Sequence, residues 1–175
     1  MAQIFLTTLG QDSHRFETSA APDPQHTIRL GGQEIPYPYP LAANSDGDVV
    51  LHALTNAISG LTKQNVLGRR ADELCRAGAT DSSAYVRLAL EDLATLPRPT
   101  RILHVSISIE AARPYLADYL PQMRTRIAAL LDLKAEDIGI TATTGEGLTD
   151  CGRGMGIAVL CLISWVQELE DEPRI

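Results

Sequence analysis

The stretch ANSDGDVVLHALTNAISGL, residues 43–61, sets Asn44, Ser45, Asp46 and Asp48 directly ahead of an apolar run. Asp46 and Asp48 suit a helix N-cap, where a carboxylate accepts a first-turn N–H that has no partner inside the helix. Val50, Ala53, Leu54, Ala57, Ile58 and Leu61 then recur at intervals of three and four. That spacing predicts a helix starting at Asp46 or Asp48 with one apolar stripe. His52 lies off the stripe, roughly 200° around from Val50 at 100° per residue, beside Asp48 and Asn56. Alone, it reads as an ordinary solvated helix histidine.

Working outward, residues 4–9 and 27–30 read as strands, and GGQEIPYPYP at 31–40 ends the second with turn residues. A helix is predicted from Asp81 to Leu93, capped by the DSS of 81–83. RILHVSISIE (101–110) alternates Leu103, Val105, Ile107 and Ile109 against His104, Ser106 and Ser108, a strand with one buried face. Residues 115–132 carry a helical stripe, and 138–143 and 157–166 are the last strands. Residues 18–26 read as a mobile loop and 168–175 as a charged tail. Strands alternating with helices predict one α/β or α+β domain across residues 1–175, with helices packed on one sheet.

The chain has 175 residues, long enough for a real core, and a formal charge of −7. That balance argues against nucleic acid or an anionic membrane as the main partner. It leaves room for a small anionic substrate, since local cations and a metal reverse the field within one cleft. No apolar run approaches the ~20 residues of a membrane helix, and MAQIFLTTLGQDSH does not read as a signal peptide. Cys75, Cys151 and Cys161 show no CxxC spacing and read as reduced thiols of a cytoplasmic protein.

Two further polar clusters complete the pattern. In GQDSHRF, Asp12 and His14 are two residues apart and share a face if the segment is extended. Such a pair is either a polar strand end or two metal ligands. If His52 joins them, two imidazoles and one carboxylate leave a fourth tetrahedral position open, the pattern of a catalytic zinc. Asn56, one turn on, is placed to steady His52; Ser45 is a candidate phosphate contact. In TATTGEGLTDCGRGMG (141–156), Thr143, Thr144, bare glycine backbone and Arg153 offer hydroxyls, N–H groups and a guanidinium to phosphate oxygens. Glu146 would repel a phosphate unless a hard cation such as Mg²⁺ bridged them. A plain hairpin loop accounts for the glycines equally well.

With these clusters in view, the chain resembles the 2-C-methyl-D-erythritol 2,4-cyclodiphosphate synthases of non-mevalonate isoprenoid synthesis. The matching stretches are DSH (12–14), LGGQEIPY (30–37), SDGDVVLHALTNAISG (45–60), RPYLADYLPQMR (113–124) and ATTGEGLTDCGRGMGIA (142–158), in the family's order. The resemblance implies a homotrimer of ferredoxin-like α+β subunits, with helices on one face of a mixed sheet and active sites between neighbours. It implies Zn²⁺, or another first-row divalent metal, on Asp12, His14 and His52, and Mg²⁺ or Mn²⁺ on Glu146. It places Thr144 and Arg153 at phosphates, Ala111 to Leu116 around a cytosine, and Asp72 at ribose hydroxyls. The implied reaction is intramolecular: the 2-phosphate of 4-diphosphocytidyl-2-C-methyl-D-erythritol 2-phosphate attacks the β-phosphorus and CMP leaves.

The chain departs from the family pattern at defined places. Asn44 stands where a histidine is usual, and RRADELC (69–75) replaces a proline- and aspartate-rich loop, keeping only Asp72. A lysine expected near the diphosphate is absent, with Arg113 adjacent. Asn56 and Gly147 replace an aspartate and a lysine, and Arg69 and Arg70 have no counterpart. These changes leave a second reading, a re-purposed trimeric zinc protein that binds a nucleotide or isoprenoid diphosphate without turnover.

Overall fold

A computed structural model describes residues 2–19 and 21–169. Six strands and four helices follow in the order β1 (Gln3–Arg15), β2 (Thr27–Leu30), β3 (Gln33–Pro36), α1 (Val49–Thr62), α2 (Arg69–Arg76), α3 (Ser83–Ala94), β4 (Thr100–Glu110), α4 (Leu120–Leu131), β5 (Ile138–Thr143) and β6 (Gly156–Glu168). Four strands form one sheet in the order β1-β6-β4-β5, and β2 and β3 form a separate hairpin. β4 and β5 run parallel, joined through α4; the other pairs of the main sheet are antiparallel.

The α+β sandwich with a mixed sheet is therefore what the chain adopts. The ferredoxin-like order is not. That motif runs β-α-β-β-α-β, whereas the main sheet here runs β-α-β-α-β-β, because α4 is the crossover that two adjacent parallel strands require.

Strand periodicity sorts the side chains by residue parity. The odd residues Val105, Ile107 and Ile109 of β4 and Ile157, Val159, Cys161, Ile163 and Trp165 of β6 are buried beneath the helices. In β1 it is the even residues that face them, because odd residues of β1 pair with even residues of β6. A register shift between Ile102 and His104 turns Ile102 inward, so Leu103, expected in the buried row, is only half-buried. The opposite face of the sheet carries Phe5, Leu9, Leu160 and Leu162, exposed by 72, 56, 47 and 44%.

Several elements differ from the sequence expectation. β1 extends to Arg15, so Asp12 and His14 stand on the strand itself. The GG turn that was expected to end the second strand instead folds it back: Gly31 and Gly32 sit at φ 60° and 73°, and β3 pairs with β2. Residues 69–76 are helical rather than loop, with Ala71 inward and charged side chains outward. The helix expected over 115–132 begins only at Leu120, with Pro121 in its first turn, where a missing N–H costs nothing. Within the expected mobile loop of 18–26, described residues are tied down: Asp23 N–H donates to Pro38 O and Tyr37 N–H to His26 O. Of the charged tail, Glu168 closes β6 and residues 170–175 lie outside the described residues. No helix among the described residues is long and apolar enough to cross a membrane.

Candidate metal centre and a separate glycine-rich cluster

α1 is buried nearly all round rather than along one stripe, because it is wedged between β1 and β6 on one side and α3 on the other. Asp48 caps it, accepting Leu51 N–H at 3.0 Å, and also accepts the N–H groups of Gly31 and Gly32 at 2.8 and 2.6 Å. One buried carboxylate thus fixes both the start of α1 and the hairpin turn. Gly10 sets the distance between β1 and α1. A Cβ there would stand 2.1 Å from Ala53 O and 2.3 Å from Ala57 N, so only glycine lets the helix lie directly on the strand.

This close approach brings three donors together. Asp12 Oδ2 lies 3.0 Å from His14 Nε2 and 3.0 Å from His52 Nδ1, and the two imidazole nitrogens are 3.1 Å apart. Ligands held at about 2.0–2.1 Å by a tetrahedral zinc sit about 3.3 Å from one another, so the set is already close to coordination geometry. Two nitrogens and one carboxylate oxygen fit a divalent metal and leave one position open. His14 Nδ1–H donates to Ala42 O at 2.7 Å, which leaves the Nε2 lone pair facing the site.

The electrostatics agree. Partial burial opposes ionisation of Asp12, but hydrogen bonds with His14 and His52 outweigh it and hold the carboxyl well below the usual carboxylate range. The Asp12 hydrogen bond raises the pKa of His14 against the effect of burial. His14 therefore holds its proton more tightly than a free imidazole, and a cation that binds there must displace it.

His52 is 7% exposed, not solvated. Its ring lies 5.8 Å from that of Tyr85, and its Nε2 faces Ser82 Oγ at 2.9 Å and Ser45 Oγ at 3.3 Å. Asn56 does not steady it; the Asn56 amide donates to Gln11 O on β1. Sequence reading missed Ser82 and Tyr85 as neighbours of His52. DSS read as a cap, yet the Ser82 hydroxyl turns toward His52 and Asp46 while Asp81 accepts Ser83 N–H. Nothing in the local pattern signals that turn.

The triad opens into a cleft of about 220 Å³ lined also by Asn44, Ser45, Asp72, Cys75 and Tyr85. Of the predicted substrate contacts, Asn44, Ser45 and Asp72 therefore join the metal ligands. Cys75 Sγ–H donates to Asn44 O at 2.9 Å, and burial, then the Cys75 thiol, pushes the Tyr85 phenol up to about 12, so it stays protonated. Arg70 does not face the cleft: it grips Asp92 of α3 through both terminal nitrogens, at 2.6 and 3.1 Å, and anchors α2. Arg69 pairs with Glu73 one turn along at the surface.

The remaining predicted residues gather elsewhere. Ala111 N–H donates to Thr143 O and Ala112 N–H to Cys151 O, which joins the 111–116 segment to the glycine-rich loop. Thr143, Thr144, Glu146, Arg153 and Arg113 are exposed there, with Glu146 at φ 48° between Gly145 and Gly147. Arg153 is held by Asp150 at 2.6 Å and by Gly147 O at 3.1 Å. Register separates this cluster from the triad. Thr143 aligns with Glu110, Ala158 and Ser13 in turn, so it shares the face of Ser13, opposite Asp12 and His14, and it stands on the opposite edge strand of the sheet. At about 4.8 Å per strand, the edges are roughly 14 Å apart. The loop's return limb comes back toward β1, where Asp150, Cys151, Gly154 and Met155 line a cavity with His14, and Phe16 N–H donates to Met155 O at 2.9 Å.

A family model, the YgbB family, matches residues 5–166. The chain belongs to the YgbB family. Curated relatives agree: the 2-C-methyl-D-erythritol 2,4-cyclodiphosphate synthase of Chlamydia trachomatis serovar L2b is 44% identical over 162 residues, covering 92% of this chain and 88% of its own. The enzyme of that name from Chlamydia muridarum is 43% identical with the same coverage. Among solved structures, a CDP-bound 2C-methyl-D-erythritol-2,4-cyclodiphosphate synthase superposes with a TM-score of 0.75 at 25% identity, over 90% of this chain and 98% of its own. The bifunctional IspDF of Campylobacter jejuni gives a TM-score of 0.79 at 28% identity, and this chain spans 44% of its length.

Proposed function

We propose that the chain cyclises 4-diphosphocytidyl-2-C-methyl-D-erythritol 2-phosphate to 2-C-methyl-D-erythritol 2,4-cyclodiphosphate with release of CMP, a phosphorus–oxygen lyase reaction of isoprenoid synthesis in the cytoplasm. The observation that carries this reading is the preformed Asp12–His14–His52 triad at the floor of a cleft, in a chain 44% identical to a synthase of that name. In the reaction a 2-phosphate oxygen bonds to the β-phosphorus as the bond from that phosphorus to the α-phosphate oxygen breaks. CMP takes the electron pair. No protein nucleophile is needed, but two anionic groups must be held together against their repulsion.

Zn²⁺ on the triad and Mg²⁺ or Mn²⁺ near Glu146 would supply positive charge to the phosphate oxygens. The protein's own groups do the positioning. Asn44 and Ser45 donate to phosphate oxygens at the mouth of the triad, Asn44 giving a hydrogen bond where the family's usual histidine gives a charge. Asp72 accepts ribose hydroxyls. Thr143, Thr144 and Arg153 hold the diphosphate, Arg113 adds a cation beside it, and backbone from Ala111 to Leu116 frames the cytosine.

Asp12 and Thr143 face opposite sides of the sheet on its two edge strands, and a second copy that offers its glycine-rich loop to the triad completes the constellation. The uncovered apolar face of β1 and β6 is the surface on which copies pack, and we assign a homotrimer with each site shared between neighbours. Incubating the zinc-loaded protein with substrate and Mg²⁺, and following products by ³¹P NMR, tests the reading. CMP and the cyclic diphosphate are expected in equal amounts; an open-chain phosphate product, or no CMP from a metal-loaded trimer, refutes it.

A further inference from the structure

Resting on the cyclase reading, we infer that Arg76 is a phosphate-binding residue that takes the α-phosphate of the cytidine diphosphate, the group that leaves as CMP. The starting observation is a hollow of about 480 Å³ lined by Asn44, Asp72, Cys75 and Arg76. Asn44, Asp72 and Cys75 also line the triad cleft, so the hollow forms its outer lip. The Cys75 thiol donates to Asn44 O at 2.9 Å and holds the rim segment against α2.

α2 carries three arginines, used in different ways. Arg70 is spent on Asp92 and Arg69 on Glu73. Arg76 pairs with no carboxylate among the described residues. Its Nε–H alone is tied, donating to Asp72 O one turn back at 3.1 Å. That bond orients the guanidinium and leaves both terminal nitrogens to form the fork that fits a phosphate. An arginine in the last turn also suits the helix dipole, a role that needs neither the hollow nor an oriented fork. The charge balance of the site points the same way. The residues lining the triad cleft include two carboxylates, Asp12 and Asp72, and no arginine or lysine. Arg76 is the one guanidinium lining either cavity. A substrate with its 2- and β-phosphates at the triad and Asn44, and its ribose at Asp72, has its α-phosphate between them, beside Arg76. That phosphate gains a negative charge as its oxygen leaves the β-phosphorus, so a cation fixed there favours the departure of CMP.

Calorimetric titration of the zinc-loaded protein with CMP and with cytidine tests the inference, since the two ligands differ only in the phosphate. Wild-type protein is expected to bind CMP more tightly than cytidine. Arg76→Ala is expected to weaken CMP binding about 10-fold, the scale of one hydrogen-bonded charge at an exposed site, and to leave cytidine binding unchanged. Arg76→Lys is expected to recover part of the loss, because an ammonium keeps the charge without the fork. Arg69→Ala removes the same charge from the same helix outside the hollow, and is expected to bind CMP as wild type does. With substrate, Arg76→Ala is expected to lower kcat as well as raise KM. The side chain is exposed, so the melting temperature and zinc affinity of Arg76→Ala are expected to match wild type. A drop in either makes the arginine structural and overturns the inference. So do wild-type CMP affinity in Arg76→Ala, an equal loss in Arg69→Ala, an equal loss of cytidine, or wild-type protein that binds CMP no better than cytidine. Failure of the cyclase reading shows separately, as wild-type protein whose CMP affinity depends on Arg76 but which releases no CMP from substrate.

Discussion

Replacing Gly10 with alanine tests the link between fold and site at its narrowest point. The new methyl would lie 2.1 Å from Ala53 O, 2.3 Å from Ala57 N and 2.9 Å from Ala57 Cα. All three are backbone atoms of α1, so no side-chain rotation relieves them. Restoring even a tight contact of about 3.2 Å requires α1 to lift from β1 by about 1 Å. Inserting one methyl into a packed core costs about 1–3 kcal/mol, and rigid backbone on the far side places this case at the upper end. Loss of glycine's freedom in the unfolded chain returns about 0.4–1 kcal/mol. A net loss of about 2 kcal/mol lowers the melting temperature by roughly 4–8 °C for a domain of this size. The same lift takes His52 away from Asp12 and His14, opening their 3.0–3.1 Å separations toward 4 Å. The variant is therefore expected to fold, melt lower, and bind zinc more weakly than any surface substitution of equal stability cost. Calorimetry together with zinc titration gives both numbers. A Gly10→Ala protein with wild-type stability and zinc affinity would refute the reasoning.

His52→Ala is expected to abolish zinc binding at the triad and, because the ring is buried against Tyr85, to destabilise the fold as well, by about 1–3 kcal/mol; metal analysis and a melt measure the two effects. Leu9→Arg, on the open sheet face opposite Leu162, is expected to yield a monomer that still binds zinc but releases no CMP, read by sedimentation and turnover. Zinc uptake is expected to release more protons at pH 6 than at pH 8. The pKa of His14 is raised from 6.5, so the metal-free site holds a proton there at the lower pH that coordination must expel; titration in two buffers of different ionisation enthalpy measures it. The same shifts set the stability of the metal-free protein. The Asp12 contribution is present above pH 3.8 and lost as pH falls toward its depressed folded value, while the His14 contribution is present below 6.5 and lost as pH rises through its raised one. Metal-free protein is therefore best supported between about pH 4 and 6.5, and chemical denaturation across pH 3–9 checks that window.

Much of this was legible in sequence because periodicity is a local property. The cap at Asp48, the apolar rows of α1, β4 and β6, and the shared face of Asp12 and His14 follow from spacings of two, three and four residues. What was not legible depends on what comes to rest against an element. α1 has polar residues at 52, 55 and 59, which by pattern face water; α3 and the sheet bury all three. RRADELC lacks an apolar stripe, and its helix is secured through Ala71 and the Arg70–Asp92 pair, a contact 22 residues away. The DSS motif reads as a cap in any sequence, and only the position of His52 gives the Ser82 hydroxyl its second use.

The separation of the two clusters has a stricter cause. Strand parity places Asp12 and His14 on the helix-covered side and Thr143 on the open side, and no rearrangement of side chains changes parity. Moving Thr143 to the covered face takes a one-residue slip of β5, which would turn Ile138 and Ile140 out of the core. The cost of exposing two buried isoleucines, about 3–6 kcal/mol, rules that slip out. In the homotrimer proposed above, the open face is the surface that packs between chains and lets a neighbour's loop meet the triad. That face already carries Phe5, Leu9, Leu160 and Leu162 in the positions where a sheet left facing water would place polar residues. The apolar open face and the placing of Thr143 opposite Asp12 and His14 are thus two consequences of one register.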